Sequence, residues 1–208
     1  MLYNDQVIRN ENSGFTLVEL LVVIVLISIG SALSLPTFMR TLKQREVDRY
    51  TQTVESGLFS LRAKLGTTKS SCEISFPSPN QYRPVWDILE FQQPNGIQTN
   101  LTGRISCCNS QEGCVGGPNY RIINREGTPE RDNVEVATTL SGFQMSPPGT
   151  SADSSLLRIL VRSKDHADSS YRTSNGKSRL LTRCVEVSGS GSISRGTWDG
   201  ALKACSID

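Results

Sequence analysis

A single histidine, His166, serves the whole 208-residue chain, so the side chain most often used as a general base or metal ligand near neutral pH is almost missing. It stands in the polar run Ser163–Ser170 with no nucleophile motif around it and reads as a solvated surface residue. No CxxC pair is present, which disfavours a zinc site, and neither a phosphate loop nor a dinucleotide fingerprint occurs. Asp165 and Asp168 fall short of the roughly six to eight oxygens that calcium takes. A dominant charge is absent too: 22 Lys and Arg against 20 Asp and Glu leave +2, too even for the whole chain to bind nucleic acid electrostatically. The sequence therefore predicts no enzyme, no cofactor and no metal.

What is present is unevenly spread. From Phe15 to Leu35 the chain reads FTLVELLVVIVLISIGSALSL, with Glu19 as its one charge, which as a helix is long enough to cross a hydrocarbon core of about 30 Å. A secretory signal would place a basic region before a shorter apolar stretch and a small-residue cut after it. Here a polar leader, residues 1–14, comes first and ends in Gly14, directly before the apolar run. A carboxylate inside such a segment costs about 2.5–3.5 kcal/mol on insertion scales, so Glu19 is expected to have a partner and a function. Gly30, Ser31, Ser34 and Pro36 loosen helical hydrogen bonding and mark a bend or a locally melted turn. Beyond them Val47, Tyr50, Val54, Leu58, Leu61 and Leu65 recur at spacings of three or four, the signature of an amphipathic helix, with Gly66 as its stop.

The rest is β-prone. Strands are predicted at Cys72–Phe76, Val85–Phe91, Tyr120–Asn124, Val134–Phe143, Ser155–Arg162, Arg179–Val187 and Ser192–Trp198, with a loop at Ser146–Ser151. Six cysteines, Cys72, Cys107, Cys108, Cys114, Cys184 and Cys205, all follow the apolar block and suggest disulfides made in an oxidising compartment. The sequence does not choose among their pairings; adjacent Cys107 and Cys108 are poor partners for each other, and Cys184–Cys205 is the pair singled out. Between Arg172 and Lys203 six basic side chains, Arg172, Lys177, Arg179, Arg183, Arg195 and Lys203, face Glu186 and Asp199. Arg179, Arg183 and Arg195 are the candidate phosphate contacts, set against the plainer reading of a solvated strand surface.

The junction Gly14-Phe15-Thr16-Leu17-Val18-Glu19, the apolar run behind it and Pro36 together resemble the processing motif of type IV prepilins and type II secretion pseudopilins. The resemblance implies that a membrane prepilin peptidase cuts between Gly14 and Phe15 and methylates the new amine of Phe15. It implies that Glu19 of one subunit meets the terminal ammonium of its neighbour during assembly. It also implies an α+β fold, a long N-terminal helix packed on a β-rich head: 1–14 leader, 15–36 transmembrane and assembly helix, 37–66 amphipathic helix, 67–208 head with disulfides. The leader, carrying Arg9 against Asp5 and Glu11, departs from the usual net positive charge. LFSLRAKL (Leu58–Leu65) leading to Cys72–Phe76, and RCVEVSGSGSISR (Arg183–Arg195), are similar to the GspH/FimT branch of minor pilins and H-type pseudopilins. The partners implied are the peptidase, other pilins or pseudopilins, the inner-membrane assembly platform and, for subunits serving DNA uptake, DNA. The place implied is the bacterial inner membrane, crossed once with the head outside, and then a pilus or pseudopilus.

Overall fold

The computed structural model describes residues 15–90, 103–109, 113–116, 121–123, 129–147 and 155–207. The chain divides into two units, Met1–Met39 and Arg40–Asp208, the second called the head below. One helix, α1 (Leu17–Thr68), runs through both and contains Pro36; it stays helical from Gly30 through Pro36, so no turn is melted there. Among the described residues no single helix is long and apolar enough by itself to cross a membrane, whereas Leu17–Ser31 and Leu35–Thr68 taken together, as a bent pair, pass by length and composition.

Within the head all six apolar residues of the amphipathic stretch, Val47, Tyr50, Val54, Leu58, Leu61 and Leu65, are buried. Each contributes about 1.5–3 kcal/mol relative to exposure, which holds the helix far more firmly than its intrinsic propensity does. The stop falls later than Gly66. Lys69 takes a left-handed φ of 50°, and the Ser70 amide donates back to the Leu65 carbonyl at 3.3 Å, a Schellman closure with lysine where glycine is usual.

Two antiparallel sheets make up the rest. The first has the order β4 (Gly113–Gly116), β3 (Arg104–Asn109), β1 (Ser71–Ser75), β6 (Gly142–Met145). The second has the order β10 (Ala204–Ile207), β9 (Ile193–Asp199), β8 (Arg183–Val187), β7 (Leu157–Ser163), β5 (Val134–Thr138), β2 (Arg83–Pro84). Period-two alternation sorts the second sheet's side chains. Val134, Val136, Leu157, Ile159, Val161, Val185 and Val187 join the helix stripe in one core. Ala137, Leu160 and Cys184 point the other way, into a small cluster lined by Tyr82, Trp198 and Cys205.

Several strands differ from the sequence expectation. Val85–Phe91 is not a strand: α2 (Val85–Ile88) forms there, because Val85, Ile88 and Leu89 are all buried and their spacing is helical rather than alternating; Phe91 lies outside the described residues. Val134–Phe143 is two strands in different sheets. Thr138 ends β5 by donating its hydroxyl to the Leu140 carbonyl at 3.0 Å, and the Ser141 carbonyl then accepts the Phe76 amide at 2.8 Å. Arg121–Ile123 carries no strand, and the flanks of the expected Tyr120–Asn124 lie outside the described residues, as do positions 148–151 of the expected loop. The stretch Arg179–Val187 becomes extended only at Arg183. β3, β4 and β10 were not anticipated, since RISCCN, GCVG and ACSI hold too few apolar residues to show alternation.

Candidate processing and assembly site

α1 opens with reciprocal capping. The Thr16 hydroxyl accepts the Glu19 amide at 3.2 Å, and the Glu19 carboxylate accepts the Thr16 amide at 3.4 Å. The Leu20 amide reaches the Thr16 carbonyl at 3.1 Å, the first helical bond. This is a capping box, Thr-x-x-Glu, which satisfies two of the donors that every helix start leaves open. It was legible in the sequence as Thr16 followed by Glu19 three residues on. Glu19 thus has a local partner within its own chain, and its negative charge also complements the positive end of the helix dipole. A carboxylate has acceptor sites for more than one donor, so a cation brought beside it finds room.

The apolar side chains around the helix are uncovered. Phe15 is 81% exposed, Leu17 78% and Val18 69%, and Leu20, Leu21, Ile24, Leu26, Ile27 and Ile29 are also exposed. A helix apolar on all sides needs a lipid or protein environment that the single chain does not supply. Gly14 lies outside the described residues.

Residues 9–35 match the prokaryotic N-terminal methylation motif. The matched segment takes in Gly14, Phe15, Thr16 and Glu19, so the capped helix start and the uncovered apolar residues fall inside the motif. The match supports a type IV pilin-like or pseudopilin protein. No curated protein and no solved structure matches the chain.

The other candidate residues scatter. Arg183 donates from Nε to Asp48 Oδ1 at 2.7 Å and also binds the Thr197 hydroxyl, while Arg195 pairs with Glu55 at 3.4 Å. Both therefore pin the second sheet to α1. Arg179 is exposed, its amide bonded to the Tyr171 carbonyl. Arg183 and Arg195 line one concavity, and Arg179 is not among its lining residues. Asp48 and Glu55, missed in the sequence, carry no local signal, since each arginine lies more than a hundred positions away along the chain.

Disulfides join Cys184 to Cys205, with Cα atoms 6.1 Å apart, and Cys72 to Cys107, which face each other in the β1–β3 ladder. Cys108 is disulfide-bonded and stands opposite Cys114 in the β3–β4 register; the Cys114 side chain lies outside the described ones.

His166 is half-buried rather than fully solvated. Its pKa is lowered, first by burial and then by Arg162 and Arg172. Asp165 pairs with Lys43 at 3.2 Å, and Asp168 caps the following turn by accepting the Ser170 amide. Both carboxylates therefore have structural work. Among the described residues no three His, Cys, Asp or Glu side chains converge. The most buried charged pair, Glu90 with Arg131 at 2.7 Å, lies near Tyr50. Burial and Glu90 raise the Tyr50 pKa well above its ordinary value, which keeps that phenol neutral and a poor base.

Proposed function

We propose that the chain is a minor pilin or pseudopilin, a non-enzymatic subunit of a type IV pilus or a related filament, assembled through its N-terminal helix. The observation that carries this is the methylation motif lying over a helix whose apolar side chains are exposed all round. In this reading prepilin peptidase cuts between Gly14 and Phe15 and methylates Phe15. The chain then rests in the inner membrane with its head outside until the assembly platform draws it into the filament. Glu19, already at the helix start, offers its remaining acceptor sites to the ammonium of the next subunit. Arg179 does not share the concavity that Arg183 and Arg195 line, which weighs against the DNA-uptake reading built on all three.

The test is an intact mass. Protein extracted from membranes of cells with active prepilin peptidase should begin at Phe15 and carry one added methyl group, and Gly14→Val should retain the leader. Wild-type protein that keeps its leader in such cells overturns the proposal.

Glu19 separates processing from assembly. Glu19→Gln keeps a side chain that can cap Thr16 but removes the charge, so cutting should proceed while recovery in sheared filaments falls by about tenfold, the effect of losing roughly 1.4 kcal/mol of pairing. Unchanged recovery would show that the carboxylate serves only as a cap.

A further inference from the structure

Four arginines meet at one concavity of the head. Arg45, Arg49, Arg183 and Arg195, with Asp48, Thr51 and Gln52, line a cavity of about 320 Å³ between α1 and strands β8 and β9. Three carboxylates hold guanidinium groups in place: Asp48 holds Arg183 at 2.7 Å, Glu55 holds Arg195 at 3.4 Å, and Glu130 holds Arg49 at 3.5 Å. The Arg49 side chain remains 70% exposed and that of Arg195 39%, whereas Arg183 is mostly covered at 21%. Arg45 is exposed and has no ion-pair partner among the described residues. A guanidinium carries five donors in a planar fork, and the exposed Arg45 and Arg49 present theirs at the rim of the cavity.

We propose that this concavity binds the phosphate of an anionic membrane-lipid headgroup. Its chemistry fits: convergent arginines take an oxyanion in forked geometry, and Gln52 with the carboxylate of Asp48 adds acceptors for headgroup hydroxyls. Its size fits one headgroup, since a cavity this small stands at the lower end for compact ligands and is too narrow for a duplex. Its place in the chain fits as well. Arg45 follows Met39, the last residue of the apolar unit, by six residues, so even fully extended backbone keeps the two within about 20 Å. The attraction requires anionic lipid in the leaflet that faces the head; beside such a surface an arginine is worth about 1 kcal/mol, or about fivefold in affinity. The inference rests on reading the N-terminal helix as the membrane anchor. Its consequence is a head held at the bilayer surface until the subunit leaves the membrane.

The experiment uses the full processed chain in neutral detergent micelles, with native mass spectrometry reading what is bound. Phosphatidylglycerol or phosphatidylcholine is added to the micelles; inorganic phosphate or a short DNA duplex is added in solution. Phosphatidylglycerol should be retained at least about tenfold better than phosphatidylcholine. Arg45→Gln and Arg49→Gln should each weaken it about fivefold with the melting temperature unchanged, and Arg45→Lys should weaken it less. Equal retention of inorganic phosphate overturns the lipid source. Preference for DNA overturns the membrane reading of the cavity, and lipid retention indifferent to all three changes overturns the site. Carbonate extraction of cell membranes judges the anchor separately, since a chain released by carbonate would sink the anchor while leaving the lipid titration to report on the cavity.

Discussion

Removing the Cys184–Cys205 bond, by changing both residues to alanine, should destabilise the head by about 3 kcal/mol. The two cysteines are 21 positions apart, and closing a loop of that length withdraws roughly this much free energy from the unfolded ensemble. In a unit of this size the midpoint should fall by about 6–12 °C. Native packing adds to the effect. β8 and β10 are separated by β9 in the sheet order, and flat strands two places apart would stand about 9.5 Å from each other, yet the cysteine Cα atoms are 6.1 Å apart. The sheet must curl to allow it. Gly196 makes the curl possible, because a Cβ there would collide with the Ser206 carbonyl oxygen. Cys184 is fully buried in the cluster of Ala137 and Leu160 on the outer face. Urea unfolding with and without reductant gives the readout: the alanine variant should lose most of the reductant sensitivity of the wild type near the C-terminus. Equal stability of variant and wild type would mean that the clasp constrains nothing.

A second large effect is expected at Gly57. α1 passes so close to Arg121–Ile123 that a Cβ at this position would run into the Ile122 carbonyl oxygen. Backbone has to move, and neighbouring Ile122 and Ile123 are buried in the main core. Gly57→Ala should therefore cost about 1–3 kcal/mol, the usual range for overpacking, despite the gain of up to about 1 kcal/mol that alanine brings to a helix interior. Gly66 is the control. It lies in the same helix with nothing within 4 Å of the place a methyl carbon would take, so Gly66→Ala should stabilise by several tenths to about 1 kcal/mol. Thermal melts of the two variants should move in opposite directions. If both rise, the helix can shift away from Ile122 and the close approach is not a constraint.

The helix was the legible part of the fold, because its period repeats over many residues and each apolar position from Val47 to Leu65 points the same way. The strong β7 pattern was legible for a similar reason: Leu157 to Ser163 lies in the middle of the second sheet and shows both faces of it in its alternation. The edges were not. β3, β4 and β10 are held by main-chain pairing and by cysteines, and neither leaves a hydrophobic pattern to read. α2 is hard to read because VWDILEF mixes apolar and acidic residues over only seven positions, too few for either period to declare itself. At the candidate site the motif around Gly14 and Glu19 was visible because it is contiguous. The fate of the arginines was not, since Asp48 and Glu55 reach Arg183 and Arg195 only through the tertiary fold. Charge counted along the chain therefore overstated what is available to a ligand.

The clasp also determines which strand borders the second sheet. Outer strands carry unused amide and carbonyl groups that can recruit another polypeptide into a growing β-stack, and short borders recruit poorly. With Cys205 tied to Cys184, the border is β10, four residues long; if it peeled away, the border would become β9, seven residues long and β-prone from Ile193 to Trp198. Among the described residues the remaining borders, β2, β4 and β6, are likewise four residues or fewer. Oxidation at Cys184 and Cys205 is in this sense a safeguard against clumping: a head kept in a reducing medium, its clasp unformed, would offer the longer edge to other copies.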